Sequence, residues 1–79
     1  MKIISNGNCP LYTYDGIGYI VVGKEFVIKN FKLETINEGK YYLSDKLNVM
    51  GYSFTEISNN EYCFIEQQNF EKYITVLSE

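Results

Sequence analysis

Two runs rich in aromatic and β-branched residues, 51–57 and 62–67, flank the polar segment Ser58-Asn59-Asn60-Glu61. That pattern predicts a β-hairpin. Asparagine tolerates the left-handed backbone of a tight turn, so Asn59 and Asn60 suit a two-residue loop. Such a loop sets Ile57 opposite Tyr62, Glu56 opposite Cys63, Thr55 opposite Phe64 and Phe54 opposite Ile65. A three-residue loop pairs Phe54 with Phe64 instead, and the sequence leaves both registers open. Each strand carries large apolar groups on both faces, which places the hairpin at the centre of the fold, covered on two sides by flanking helical segments.

Upstream, the pattern is one of short strands. Lys2–Ser5 reads as an edge strand, Asn6, Gly7 and Asn8 as a turn, and 11–14 as a strand opened by Pro10. Asp15-Gly16 is a strong turn dipeptide. In the next strand, 17–22, Gly18 interrupts the alternation, as at a bulge or a close backbone approach. Gly23 and Lys24 separate it from 25–29, where Phe26 and Ile28 face one way and the charged Glu25 and Lys29 flank Val27 on the other. Residues 31–34 alternate apolar and charged, the mark of a half-exposed strand. After a turn at Asn37, Glu38 and Gly39, residues 40–43 return as its hairpin partner. Turns at this spacing suit a meander curled into a sheet or small barrel.

The period changes at Ser44. A hydroxyl followed by Asp45 is a helix start, Leu43, Leu47 and Met50 fall on one side, and Gly51 is a left-handed stop. After the hairpin, Asn69 caps a second helix, with Phe70, Tyr73, Ile74 and Leu77 in one apolar stripe at i, i+3, i+4 and i+7. Ile74, Thr75 and Val76 are poor helix formers, so this helix depends on docking to the sheet. The predicted fold class is α+β, a single domain over residues 1–79: an N-terminal antiparallel sheet of four or five strands (a meander or small barrel), a short helix, the hairpin, and a C-terminal helix packed on the sheet.

Composition narrows the chemistry. With 79 residues the core is small, and eight Tyr and five Phe compensate by the area each buries. The chain has no His, Arg or Trp. It therefore lacks the commonest general acid–base and metal ligand, and the usual bidentate grip on phosphate. Plentiful Lys, Asn, Ile and Tyr without Arg points to an AT-rich coding sequence, as in a low-GC bacterium or its phages. Two cysteines, Cys9 and Cys63, without His make no zinc site, and no EF-hand loop is present. Neither thiol nor any serine has an imidazole to activate it, so no catalytic residue, cofactor or metal is expected and the protein is not read as an enzyme. Gly16, Gly18 and Gly23 match neither the dinucleotide nor the phosphate-loop spacing and read as turn and bulge glycines. No apolar stretch is long enough for a signal peptide or a membrane span, which gives a cytoplasmic expectation with reduced thiols.

Charge is uneven. Residues 1–44 carry five lysines against four acids, a balance of +1, whereas residues 45–79 carry six acids against Lys46 and Lys72, a balance of −4. Glu56, Glu61 and Glu66 decorate the hairpin, and such an acidic patch steers toward a basic protein surface. Tyr12, Tyr14, Tyr19, Tyr41 and Tyr42 lie in the strand-rich half, and tyrosines on a sheet are a platform for stacking single-stranded nucleic acid. The candidate partner-binding residues are therefore Glu56, Glu61, Glu66, Tyr12 and Tyr14. The first reading is a protein-binding module, of the kind a phage or mobile element uses to inhibit a larger host protein by covering a basic surface. The second is a single-stranded nucleic-acid-binding domain, although a balance of +1 is hardly a basic face. The third is a subunit that self-associates as a homodimer through an exposed strand edge.

Overall fold

The computed structural model describes residues 1–37, 39–43, 48–58 and 60–79. The elements are β1 (Lys2–Ser5), β2 (Pro10–Thr13), β3 (Gly16–Tyr19), β4 (Glu25–Ile36), β5 (Val49–Glu56), β6 (Tyr62–Glu66), α1 (Gln67–Tyr73) and β7 (Ile74–Ser78). The strands form one antiparallel sheet in the order β3-β2-β6-β5-β4-β1-β7.

The β5–β6 hairpin is central, as its two apolar faces require. Phe54, Cys63 and Ile65 point into one core with Ile3, Cys9, Ile20 and Ile28. Phe64 points the other way, into a second core with Ile36, Tyr41 and Leu43. The first core sits in the hollow of a curled sheet. In a flat sheet β1 and β2, four places apart, would lie roughly 19 Å from each other at about 4.8 Å per strand. Instead Ile3 and Cys9 share one cluster, and backbone bonds from Ile20 N–H to the Cys9 carbonyl (3.1 Å) and from Gly23 N–H to the Ser5 carbonyl (3.0 Å) draw the curl together. The helix lies over the same core, with the Phe70 ring 4.6 Å from Tyr52 and 5.5 Å from Phe31, themselves stacked at 4.8 Å. On the opposite face, the chain after β4 folds back so that Tyr41 and Leu43 cover Phe64 and Ile36.

A bulge shapes β4. The segments 25–29 and 31–34 are one strand, not two, and the pairing shifts between Lys29↔Thr55 and Lys32↔Ser53. Asn30, at φ 55°, takes the extra place, and its Nδ2 donates to Thr55 Oγ1 at 3.0 Å. Asparagine accepts this left-handed backbone more readily than most residues. The extra residue resets the alternation, so Phe31 packs on the same core as Phe26 and Ile28.

Several expectations are corrected. The hairpin adopts neither anticipated register: Thr55 pairs with Tyr62, Phe54 with Cys63, Ser53 with Phe64 and Tyr52 with Ile65. The loop is longer, closed by Asn60 N–H donating to the Glu56 carbonyl at 2.9 Å, with Asn60 at φ 55°; Asn59 lies outside the described residues. β1 is not an edge, since it sits between β4 and β7, and the free edges fall on β3 and β7. Residues 40–43 do not pair with β4, whose neighbours in the sheet are β5 and β1. Of the expected helix at 44–50, residues 44–47 (Ser44, Asp45 and Leu47 among them) lie outside the described residues, while Val49 and Met50 open β5. Gly51 is a strand residue rather than a helix stop. The C-terminal helix starts before Asn69, with Glu66 at its cap, and ends at Tyr73. β-branched Ile74, Thr75 and Val76 extend instead and pair with β1, which would otherwise expose an unpaired backbone edge. Phe70, Tyr73 and Ile74 do pack on the core, but Leu77 is exposed. Among the described residues this leaves one short helix.

Gly51 is fixed by the Phe64 ring. A Cβ at that position would overlap the Phe64 side chain and the Ile65 carbonyl oxygen. Gly51→Ala is expected to destabilise by about 3 kcal/mol, the upper end of overpacking costs, because backbone on the neighbouring strand cannot move aside. Phe64→Ala should cost roughly 3–5 kcal/mol by emptying a fully buried site. Leu77→Ala should stay within about 0.5 kcal/mol, as at an ordinary surface position. Chemical denaturation of the three variants checks this order, and a Leu77 effect as large as that of Phe64 would contradict the placement of β7.

Candidate functional site

The outward face of β2, β6, β5 and β4 carries an aromatic ladder. Tyr12 pairs with Phe64 across β2 and β6, which puts both side chains on one face. Tyr14 follows two residues on, in the β2–β3 turn, and its ring stacks on Tyr41 at 4.8 Å and 13°. Tyr41 is buried and rests on Phe64, centroid to centroid 5.6 Å. The ladder thus runs from a fully buried Phe64, through Tyr41, to a Tyr14 that is 56% exposed. It is held from outside by the Tyr42 N–H, which donates to the Thr13 carbonyl at 3.1 Å.

Beside the ladder lies a groove of about 620 Å³ whose lining includes Tyr14, Tyr41, Tyr62, Lys32, Glu34 and Lys40. Its polar wall is built around Glu34 of β4. Lys40 Nζ donates to Glu34 Oε1 at 2.5 Å, the Ser53 hydroxyl donates to Oε2, and Lys32 Nζ stands 3.7 Å from Oε2. Burial pushes the Glu34 carboxyl upward, but the bonds from Lys40 and Ser53 and the charges of Lys40 and Lys32 outweigh it and hold the group below its ordinary value. The same bond to Glu34 raises Lys40. Burial, with Tyr14 and Glu34 nearby, raises the Tyr41 phenol. Glu34 therefore stays ionised and Tyr41 protonated near neutral pH, so neither is poised to exchange a proton there. What the groove offers is contact: tyrosine faces that are already positioned, beside a clamped set of charges.

The five residues singled out from the sequence divide between two places. Tyr12, Tyr14 and Glu66 belong to the tyrosine face, where Tyr12 Oη donates to Glu66 Oε2 at 3.3 Å and Asn69 Nδ2 donates to the same oxygen at 3.4 Å. Glu56 and Glu61 flank the hairpin loop, and both push the buried Cys63 thiol upward, after the larger effect of its burial, to about 12. Glu66 lies five residues along β6 from Glu61, roughly 16 Å at the rise of an extended strand. The three glutamates are thus not one patch. The residues that complete the groove, Lys32, Glu34, Lys40, Ser53 and Tyr62, went unrecognised. The alternation of 31–34 gave the strand, but Glu34 meets Ser53 only through the long-range pairing of β4 with β5.

Both cysteines are free and buried, and burial alone raises Cys9 to about 11. Among the described residues there is no group of three or more side chains suited to hold a metal ion, and no helix is long and apolar enough to cross a membrane. The chain matches no family model, and no curated protein or solved structure is significantly similar to it.

Two outcomes are expected. Raising a thiol from 9.0 to about 11 lowers its thiolate fraction about 100-fold, so alkylation of native Cys9 at pH 7.5 should be at least that much slower than in denatured chain. Mass-spectrometric timing of labelling measures it, and equal rates would contradict the burial. The Glu34 carboxyl is depressed in the folded state, so its contribution is present above the ordinary carboxylate value and lost as pH falls through the folded one. Melts across pH 2–6 should show a steeper acid loss in wild type than in Glu34→Gln.

Proposed function

We propose that this protein is a protein-binding module whose contact face is the tyrosine-lined groove. The observation that carries the reading is the Tyr14–Tyr41–Phe64 ladder, in which an exposed tyrosine is fixed by stacking on a buried one. A tyrosine held this way loses little rotamer freedom on binding, and buried tyrosines are among the side chains that dominate protein interfaces. Tyr62, 53% exposed and lining the same groove, supplies a further anchor. The formal net charge of −3 favours a partner with a basic surface. Such a module acts by covering part of a larger protein, and inhibition by occlusion is the mode of action this reading implies.

A second reading, single-stranded nucleic acid on the same tyrosines, draws support from the stacked Tyr14–Tyr41 pair and the two lysines beside it. Glu34 weighs against it, since it neutralises the lysines that would have to meet phosphate.

The test is affinity capture from lysate with and without nuclease, followed by titration of the captured protein. Capture should survive nuclease, and Tyr14→Ala with Tyr62→Ala should weaken affinity by about tenfold or more, as for interface anchors. Binding should also weaken as salt rises. Loss of capture on nuclease treatment, with a labelled single-stranded oligonucleotide bound and then lost in Tyr14→Ala, would establish the second reading instead.

A further inference from the structure

We infer that the mouth of the curled sheet, a depression that shares only Phe54 with the lining of the tyrosine groove, is a second binding site, for a primary alkylammonium group. The depression there has a volume of about 210 Å³; its lining runs from the exposed Tyr19 and Val21 through the half-buried Leu11 to a floor of buried Ile3, Ile28 and Cys63, with Glu56 at the rim. Packed interiors leave few voids larger than a water, and an apolar cavity of about 150 Å³ already admits benzene. The walls are apolar, so the occupant must carry an apolar stem.

The rim decides the head group. Among the described residues, the Glu56 carboxylate has no hydrogen-bond donor and no cation within ion-pairing distance. Lys24 shares an adjoining groove with it but lies over the Phe26 ring at 4.8 Å. Glu25, in that groove too, is paired with Lys2 at 3.5 Å. Glu61 on the other side of the loop adds to the negative potential felt at Cys63 in the wall. An anion is therefore repelled, and a neutral stem would leave Glu56 without a partner. A primary ammonium on that stem presents three donors, which Glu56 and water at the open rim can share. An aliphatic stem in an apolar channel with its charged head at the surface is the arrangement such chains adopt when they snorkel.

A free alkylamine and a lysine side chain share this chemistry, and the experiment separates them. Wild-type protein is titrated with n-pentylammonium, with n-pentanol, and with the peptide Gly-Gly-Lys-Gly-Gly, following the methyl resonances of Ile3 and Ile28. Saturable shifts with pentylammonium identify a site open to free amines. Shifts with the peptide alone identify one that reads lysine in a chain. In either case Glu56→Gln should weaken binding about fivefold, the worth of a partly exposed ion pair, without moving the thermal midpoint. Leu11→Phe, which fills the hollow, should abolish the shifts. The inference is overturned if neither amine shifts these methyls, if pentanol binds as well as pentylammonium, or if Glu56→Gln leaves the affinity unchanged. Because Tyr14 and Tyr62 lie outside this hollow, failure here leaves the tyrosine-face reading standing.

Discussion

Phe64 lying over Gly51 is the contact on which the rest of the structure depends. The ring is completely buried, and it comes so near the β5 backbone that no side chain fits beneath it. That closeness locks β6 on β5 in a single register, because a slip of one residue would drive a large side chain of the hairpin into the space glycine leaves. It also explains the two-sided character of the sheet. With Phe64 turned outward and Cys63 and Ile65 turned inward, the central hairpin needs cover on both faces. The curl supplies it on one side and the returning chain at Tyr41 and Leu43 on the other.

The tyrosine groove follows from that second cover. Tyr41 is carried over Phe64 by the chain leaving β4, and once seated it offers a flat partner to Tyr14 from the β2–β3 turn. The polar half has a comparable logic. Ser53, nearly buried, needs a partner for its hydroxyl, and Glu34 on the adjacent strand provides it. Glu34 in turn is kept charged by Lys40 from the same returning chain. One covering segment thus closes the outer core, positions an exposed aromatic and completes the charge clamp.

Much of this was legible in the sequence, in a graded way. The hairpin, its central place and its two apolar faces follow from local pattern alone, as do the strands around Lys2, Pro10, Ile17 and Phe26. What failed depended on partners distant in sequence. Ile74, Thr75 and Val76 carry a helical stripe and β-branched chemistry at once, and the free edge of β1 decided between them. Gly51 looks like a helix stop until the Phe64 ring is seen above it. The bulge at Asn30 joined two expected strands because asparagine accepts the backbone that a bulge needs. In the candidate site, Tyr12 and Tyr14, singled out by residue type, share the outward face, but the three glutamates do not form one patch. Position along a hairpin separates Glu66 from Glu56 and Glu61, and charge counting carries no information on distance.

We propose that the tyrosine face is where this protein meets a protein partner. Amide hydrogen exchange of the chain alone and bound to its nuclease-resistant partner tests it most directly. Contact through the groove should give new protection concentrated at Thr13–Asp15, at 40–42 and around Tyr62, with β7 and the helix unchanged. Protection confined to β7, or to the β3 edge with the groove unaffected, would contradict it.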